Sequence, residues 1–526
     1  MKSFVQMLAG LVFGVLSGFD RLMFRGHLRE LAYPGGMLRY CNFNGVKLTD
    51  FKAHAERLTA HLIEAAQAEA KRLDRPIEYL SSPVVRKEDQ ARKIAQRDGI
   101  TDGLIGVFTC VEPCWSFALR GNRATKKLEF RPELRKCLHL YHYYQHPRWG
   151  FVYARVQTWF PFTLQIGLNG REWLARQLDE AGLSYRRHDN CLTWVADVAR
   201  AQALLDAQLR TNWTKALHEI GTWVHPTQAE LLGKFRTGYY WSLKQSEWAS
   251  DVLFTKPSAL QARYGTWLRY ALLNYHSADV LRFLGRKLTA TGAVNGHYQD
   301  EVLSDLGHRV DGVRIKHRAG SNSIKMYDKA EGRVLRVETT INDASAFKVY
   351  RAKENDPAGA KEWRVLRSGV ADIHRRAEVS QAANERYVAG LAAVEHEQPL
   401  QELLEPLGRR VTEPGSSRRK VRGLTPLVGK DATLLAAVAC PEFAVNGLRN
   451  RDLVAALHGP ASADLGERKR RSAQVSRQLR LLRAHGLLRK VPKTHRYQVT
   501  DRGRLILTAL NAARHASTQQ LVAQAA

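Results

Sequence analysis

Apolar residues run almost unbroken from Phe4 to Phe19, interrupted by Gln6 and punctuated by Gly10, Gly14 and Gly18. With Lys2 ahead of it the run imitates an export signal, but it passes straight into Asp20-Arg21-Leu22-Met23-Phe24-Arg25-Gly26 with no small-residue cleavage site. It therefore predicts a helix or buried strand of a first domain. From Leu48 to Leu73 apolar positions recur at helical spacing among Lys, Glu and Arg, the pattern of a long amphipathic helix. Leu104 to Cys110, Ser116 to Leu119 and Cys137 to Tyr144 are short β-branched or aromatic runs and predict strands.

Beyond residue 150 the period changes several times. Phe151 to Phe162 and Thr163 to Leu168 predict paired strands, and Asn169 opens a helix over Gly170 to Ala181. Val198 to Trp213 and Pro257 to Tyr275 predict further helices, and Glu247 and Asp251 sit four apart on a possible helix face, which suits metal ligation or simple solvation. Val313 to His317, Ser323 to Asp328 and Val334 to Ile341 are closely spaced strands with turns at Ala319-Gly320-Ser321-Asn322 and Glu331-Gly332-Arg333. This is an antiparallel meander, so the expected class is α+β and not doubly wound. The chain divides into an N-terminal basic α+β domain (1–150), a central α+β domain (151–404), a linker (405–430) and a C-terminal domain (431–526). The linker is expected because Pro406, Pro414, Gly415, Ser416, Ser417 and Pro426 punctuate Arg418, Arg419, Lys420 and other cations there. No internal repeat is visible.

Composition adds the partner. At 526 residues the chain is too long for one core, and 81 Lys plus Arg against 51 Asp plus Glu leave a net charge of +30. A surface of that sign releases counterions from a polyphosphate backbone, so nucleic acid is the expected partner, DNA and also RNA. The basic residues are spread along the chain and not gathered on one amphipathic segment, which argues against a membrane surface. Six cysteines without a small-domain framework predict a reducing, cytoplasmic setting and no structural disulfides.

The last 95 or so residues read helix, helix, basic helix, two-stranded hairpin, helix. Val475, Leu479 and Leu482 face inward on the third helix, Gly486 stops it, and Leu487 to Val491 and Arg496 to Val499 form the hairpin. Gly486, Leu487, Leu488, Arg489, Tyr497, Val499, Thr500, Arg502 and Gly503 resemble the ending of winged-helix transcription regulators. That resemblance implies a recognition helix in the major groove, carrying Gln474, Arg477, Gln478, Arg480 and Arg483 behind Arg468, Lys469, Arg470 and Arg471. It also implies a wing whose Arg489, Lys490, Lys493 and Arg496 meet phosphate.

In the meander, alternation puts Lys325, Tyr327 and Lys329 on one face of a strand, and Arg336 and Glu338 on one face of the next. Flanking cations would stabilise a phenolate, and Glu338 is placed to hold a divalent metal or act as a base. Ser323, Ile324, Lys325, Tyr327, Asp328, Lys329, Arg336, Val337 and Glu338 resemble the strands of Rep_trans-type rolling-circle replication initiators and relaxases, and more loosely filamentous-phage initiators. The resemblance covers about 20 residues and lacks the His-hydrophobic-His motif. It implies a tyrosine that attacks a DNA phosphodiester and stays joined to the 5′ end, assisted by magnesium or manganese. The other reading is a hairpin with a half-buried tyrosine and a solvated lysine face.

Asp20 either brings a second carboxylate to Glu338 or is buried in a pair with Arg21 or Arg25, and the pair is the simpler expectation. Cys110, Cys114, Cys137, His139, His142 and His146 number enough for zinc, but their spacing favours buried thiols over a zinc site. The expected function is that of a mobile-element or replicon protein that binds a DNA site and nicks or joins a strand. The alternative is a non-catalytic protein that holds a structured or guide RNA, or DNA.

Overall fold

The computed structural model describes the chain apart from residues 82–84, 236, 276, 286–301, 310–311, 354–355, 357, 393–398, 414–419, 440–442, 444–446, 461, 492–493 and 518–526. The fold is mixed α/β around one 11-stranded sheet. In chain order the strands that concern the site are β1 (Val12–Leu28), β2 (Ile77–Tyr79), β3 (Gly103–Asn122), β4 (Lys127–His146), β5 (Gly150–Gln157), β6 (Leu164–Asn169), β7 (Tyr185–His188), β8 (Cys191–Val195), β9 (Tyr239–Phe254), β10 (Val302–Arg309), β11 (Gly312–Ala319), β12 (Asn322–Lys329) and β13 (Val334–Ile341). The large sheet runs β10-β11-β12-β13-β9-β1-β6-β5-β4-β3-β2, while β7 and β8 form a separate hairpin. All its pairings are antiparallel except the edge pair β2–β3.

The strand order repeats a pattern that the sequence hides. β1 is followed by helices and then by the meander β3-β4-β5-β6, whose last strand returns to lie beside β1. β9 is likewise followed by helices and then by β10-β11-β12-β13, whose last strand returns beside β9. β1 and β9 pair antiparallel, which joins the two halves. No repeat shows in the residues because pairing of this kind constrains the backbone and the apolar alternation, not residue identity. The sheet takes strands from both sides of residue 150, so the regions 1–150 and 151–404 share it.

The N-terminal apolar run divides into a helix, Lys2–Met7, and the long strand β1. From Leu22 onward Leu22, Phe24 and Leu28 are buried, while Arg21 and Arg25 are exposed, the alternation of a strand with one face in the core. The helix expected from Leu48 lies at Phe51–Arg72 and packs with Trp213–Val224 in the core behind β1 and β4 to β6. A second core, behind β12 and β13, contains Ile324, Met326, Leu335 and Val337 and is closed by the helices Pro257–Asn274 and Ile373–Leu391.

Three expectations are corrected. The helix expected over Val198 to Trp213 ends at Gln208, because Asn212 caps a new helix at Trp213 by accepting from the Lys215 N–H. Glu247 and Asp251 stand on β9 and not on a helix. Residues four apart share a face in both geometries, so spacing alone could not separate them. The linker expected at 405–430 contributes Leu407 and Leu424 to the C-terminal core, and Val411–Thr412 pairs with Lys420–Val421. Its cations concealed a few apolar anchors, while Arg418 and Arg419 lie outside the described residues.

The C-terminal region contains helices Gly429–Val438, Asn450–His458 and Leu465–Ala484, the paired strands Leu488–Lys490 and Tyr497–Val499, and a final helix Asp501–His515. Among the described residues no helix is long and apolar enough to cross a membrane.

Candidate functional site

The polar cluster forms where β12, β13, β9 and β1 lie side by side. Lys325 is opposite Glu338, Tyr327 is opposite Arg336, Arg336 is opposite Asp251 and Thr340 is opposite Glu247. Direct partners share a face of the sheet, so these residues form one surface. Asp20 reaches it through a bulge: the β1–β9 register steps from Phe19↔Trp248 to Arg21↔Glu247, which leaves Asp20 as the extra residue. A bulge re-aims the side chain it inserts. Asp20, Glu247 and Glu338 each offer a carboxylate oxygen, and these oxygens lie within 4.8 Å of one another.

The hydrogen bonds are directed. The Tyr327 hydroxyl donates to Glu338 Oε2 at 2.6 Å. Lys325 Nζ donates to Glu338 Oε1 at 2.6 Å and to Glu247 Oε1 at 3.3 Å. Arg336, wholly buried, grips both oxygens of Asp251 at 2.5 and 2.8 Å and lies 3.3 Å from Asp20. Arg171, from the first turn of the helix capped by Asn169, pairs with Asp251 at 3.0 Å. The tip of the β7–β8 hairpin closes one side: Asn190 donates to Asp20, and Lys329 donates to Asp189 and Asn190. The Lys325 and Glu247 side chains are 12% and 15% exposed against 2% for Glu338, so the cluster meets solvent at the Lys325–Glu247 edge.

Electrostatics separate the carboxylates. Burial pushes Glu338 up, but the Lys325 ammonium and the Arg336 guanidinium outweigh it and hold the group at about 2. Asp251 is likewise held down, against its burial, by Arg336 and Arg171. Asp20 and Glu247 are instead raised, first by burial, with Glu338 adding repulsion to each. These two carboxylates are undercompensated. With Glu338 they make a group of three oxygen donors, two of them short of positive charge, and Asp20, Glu247 and Glu338 are the residues that could hold a metal ion.

Asp20 and Glu338 are therefore brought together, and Glu247 joins them. The simpler expectation for Asp20 is corrected: its partners are Arg336 and Asn190, not Arg21 or Arg25, because the bulge turns it away from its neighbours on β1. The proposed activation of Tyr327 is corrected too. Lys325 and Lys329 flank it, but their ammonium groups are engaged by carboxylates, and the phenol is raised well above its ordinary value, first by burial and then by Glu338. Its proton is held in a hydrogen bond to Glu338 instead of being expelled by cations. Arg171, Asp189 and Asn190 had no local signal of a shared site, since Arg171 comes from the helix after β6 and the other two from the tip of the β7–β8 hairpin.

Among the described residues Asp20, Glu247 and Glu338 are the one group of three placed to hold a metal ion. Cys110, Cys114, Cys137, His139, His142 and His146 line β3 and β4 as buried residues. On the helix Leu465–Ala484, Val475, Leu479 and Leu482 are buried, and Arg468, Lys469, Arg470 and Arg477 are exposed. Gln474, Gln478, Arg480 and Arg483 are half-buried beside them. Arg470 and Arg471 both pair with Glu467. Arg489, Lys490 and Lys420 are exposed and Arg496 half-buried, while Lys493 lies outside the described residues. Neither a family model, nor a curated protein, nor a solved structure matches the chain.

Proposed function

We propose that this chain is a nucleic-acid-processing protein of a mobile element or replicon that cuts or joins a DNA strand at the Tyr327 cluster and docks on DNA through a C-terminal winged helix. The observation that carries the reading is the Tyr327 hydroxyl donating to Glu338 inside the group of three clustered carboxylates. The two proposed parts also fit the net charge of +30.

In the proposed reaction Tyr327 Oη, oriented by its hydrogen bond to Glu338, attacks phosphorus and its proton is released to solvent. The P–O3′ bond breaks, and the 3′ oxygen leaves as a hydroxyl with a proton from solvent. The tyrosine keeps the 5′ phosphate, and reversal of the step rejoins the strand. Lys325, at the solvent edge, complements the charge that builds on the phosphate. A divalent ion bound by Asp20, Glu247 and Glu338 would supply further polarisation of that phosphate. Arg336 and Arg171 position the carboxylates by neutralising Asp251 beneath them.

For the C-terminal region, the basic helix Leu465–Ala484 followed by the paired strands supports recognition helix and wing. The burial of the Tyr327 ring, 7% exposed, favours a second route at the same cluster, in which water is the nucleophile. Incubation of the full chain with labelled single-stranded and duplex DNA plus magnesium or manganese is expected to give a nick and a protein–5′ adduct. Tyr327→Phe is expected to abolish the adduct. Cutting that survives in Tyr327→Phe without an adduct assigns the water route. No cutting of any strand, with a defined RNA carried through purification, overturns the proposal in favour of a holding protein.

A further inference from the structure

A second feature lies on the same face of the sheet. Ser242, Arg25, Gln165, Arg155 and Tyr141 are successive register partners across β9, β1, β6, β5 and β4, so they form one row. Arg25 stands four residues along β1 from Arg21, whose partner is Glu247, so row and acid cluster lie about 13 Å apart on one face. Beside Arg25 opens a cavity of about 400 Å³, walled by His27, Thr163, Ser242, Trp115 and Phe117.

The walls are chemically specific. Trp115 is 66% exposed, a large flat ring presented to solvent by the long β3–β4 hairpin. Arg25 makes no ion pair among the described residues, and neither does the neighbouring Lys244. Arg155 is close enough to both to depress them, after burial. Arg155 itself is balanced by Glu112 at 3.2 Å, so the cations without a counter-charge are Arg25 and Lys244, and Arg25 beside an exposed aromatic ring matches phosphate next to a stacked base. A cavity of this size is in the range of small-ligand sites, so it suits one base and not a stacked duplex.

We infer that this cavity is a subsite for one unpaired base of a single-stranded nucleic acid, stacked on Trp115 with its phosphate on Arg25, and that the strand continues along β1 to the acid cluster. The inference rests on the reading that the cluster acts on nucleic acid, and it narrows the substrate to single strands.

The test uses the full-length protein and a fluorescently labelled oligothymidylate too short to form the duplex that a groove-reading helix needs. Trp115→Ala, at an exposed position, is expected to weaken binding about tenfold, within what one stacked base supplies. Arg25→Ala is expected to weaken it and to flatten its salt dependence. Manganese affinity of the acid cluster is expected to stay unchanged in both variants. Binding equal to the parent protein in both variants, or equal affinity for a short hairpin duplex, overturns the subsite and leaves the cutting reaction standing. Loss of binding in the variants of a protein that cuts no strand leaves the subsite standing and overturns the reaction.

Discussion

Arg336 is the residue whose removal the structure predicts most sharply. It is wholly buried, bonds both oxygens of Asp251, lies 3.3 Å from Asp20 and donates to the Asn190 carbonyl. Arg336→Met keeps most of the volume but strands Asp20 with only the Asn190 amide, and leaves Asp251 to Arg171 alone. Breaking one side of a buried ion pair costs about 3–5 kcal/mol, a large share of a stability of about 5–15 kcal/mol. Asp20→Asn in the Arg336→Met background removes one of the stranded charges and is expected to restore about 1–3 kcal/mol, a coupling read from the double-mutant cycle. The assay is urea unfolding followed by tryptophan fluorescence, taking the transition in which Trp248, beside the cluster on β9, becomes exposed. A loss below about 1 kcal/mol in Arg336→Met, or no coupling with Asp20→Asn, would refute the account of the cluster as a charge-balanced buried network.

Tyr327→Phe removes one hydrogen bond to a carboxylate and is expected to cost about 1–2 kcal/mol while eliminating the covalent adduct; unfolding and adduct gels read the two effects separately. Glu247→Gln and Glu338→Gln are each expected to weaken manganese binding at least about tenfold by calorimetry, and unchanged affinity in both would remove the carboxylate group as a metal site. The buried histidines His142, His225 and His317 are held down to about 4, first by burial. The unfolded chain therefore binds protons first: their stability contribution is complete above the unfolded value of about 6.5 and declines as pH falls toward 4, by up to about 3 kcal/mol each. A urea midpoint that stays flat across that interval would contradict it. Arg477→Ala is expected to weaken duplex binding and to lower the slope of log affinity against log salt by about 1, measured by anisotropy.

Much of the backbone was legible in the residues because local pattern and tertiary environment agree. The strands β11 to β13 alternate apolar with polar positions and have glycine-containing turns, and the helix Gly170–Glu180 has its asparagine cap. The pairing of Lys325 and Tyr327 with Glu338 could be read from alternation within one meander. Asp20 could be offered only as one of two alternatives and Glu247 not tied to it at all, since their approach depends on β9 and β1 pairing across more than 200 residues and on a bulge that no local pattern announces. The direction of the Tyr327 shift was also out of reach: flanking lysines suggest a lowered phenol until one knows that Glu338, Glu247 and Asp189 already hold them.

The repeated topology explains why chemistry and the inferred binding fall in different halves. In the second half the last two strands of the meander offer Lys325 opposite Glu338 and Tyr327 opposite Arg336. In the first half the last two strands offer Arg155 opposite Gln165 and Tyr153 opposite Gly167. A cation and a tyrosine thus recur on the outer strand of each pair, but the inner strand of the first half carries an amide and a glycine. Gln165 cannot take a proton or gather a divalent ion, and it hydrogen-bonds the Tyr153 hydroxyl instead. A side chain at Gly167 would collide with the Tyr153 ring, whose nearest atom lies 1.9 Å from the position of the missing Cβ, so the ring is laid flat on β6. On the proposed reading the first half, where Glu112 balances Arg155 but Arg25 has no ion pair among the described residues, keeps Arg25 to grip the strand, and the second half spends Lys325 and Arg336 on balancing acids. Converting Gln165 to Glu tests this division directly. The new carboxylate would lie in register with Arg25, the arginine of the row without an ion pair among the described residues, and neutralise it, so binding of the short oligothymidylate should fall while cutting of a long strand at saturating protein persists. If oligothymidylate binding is unchanged, the positive row is not what holds the strand.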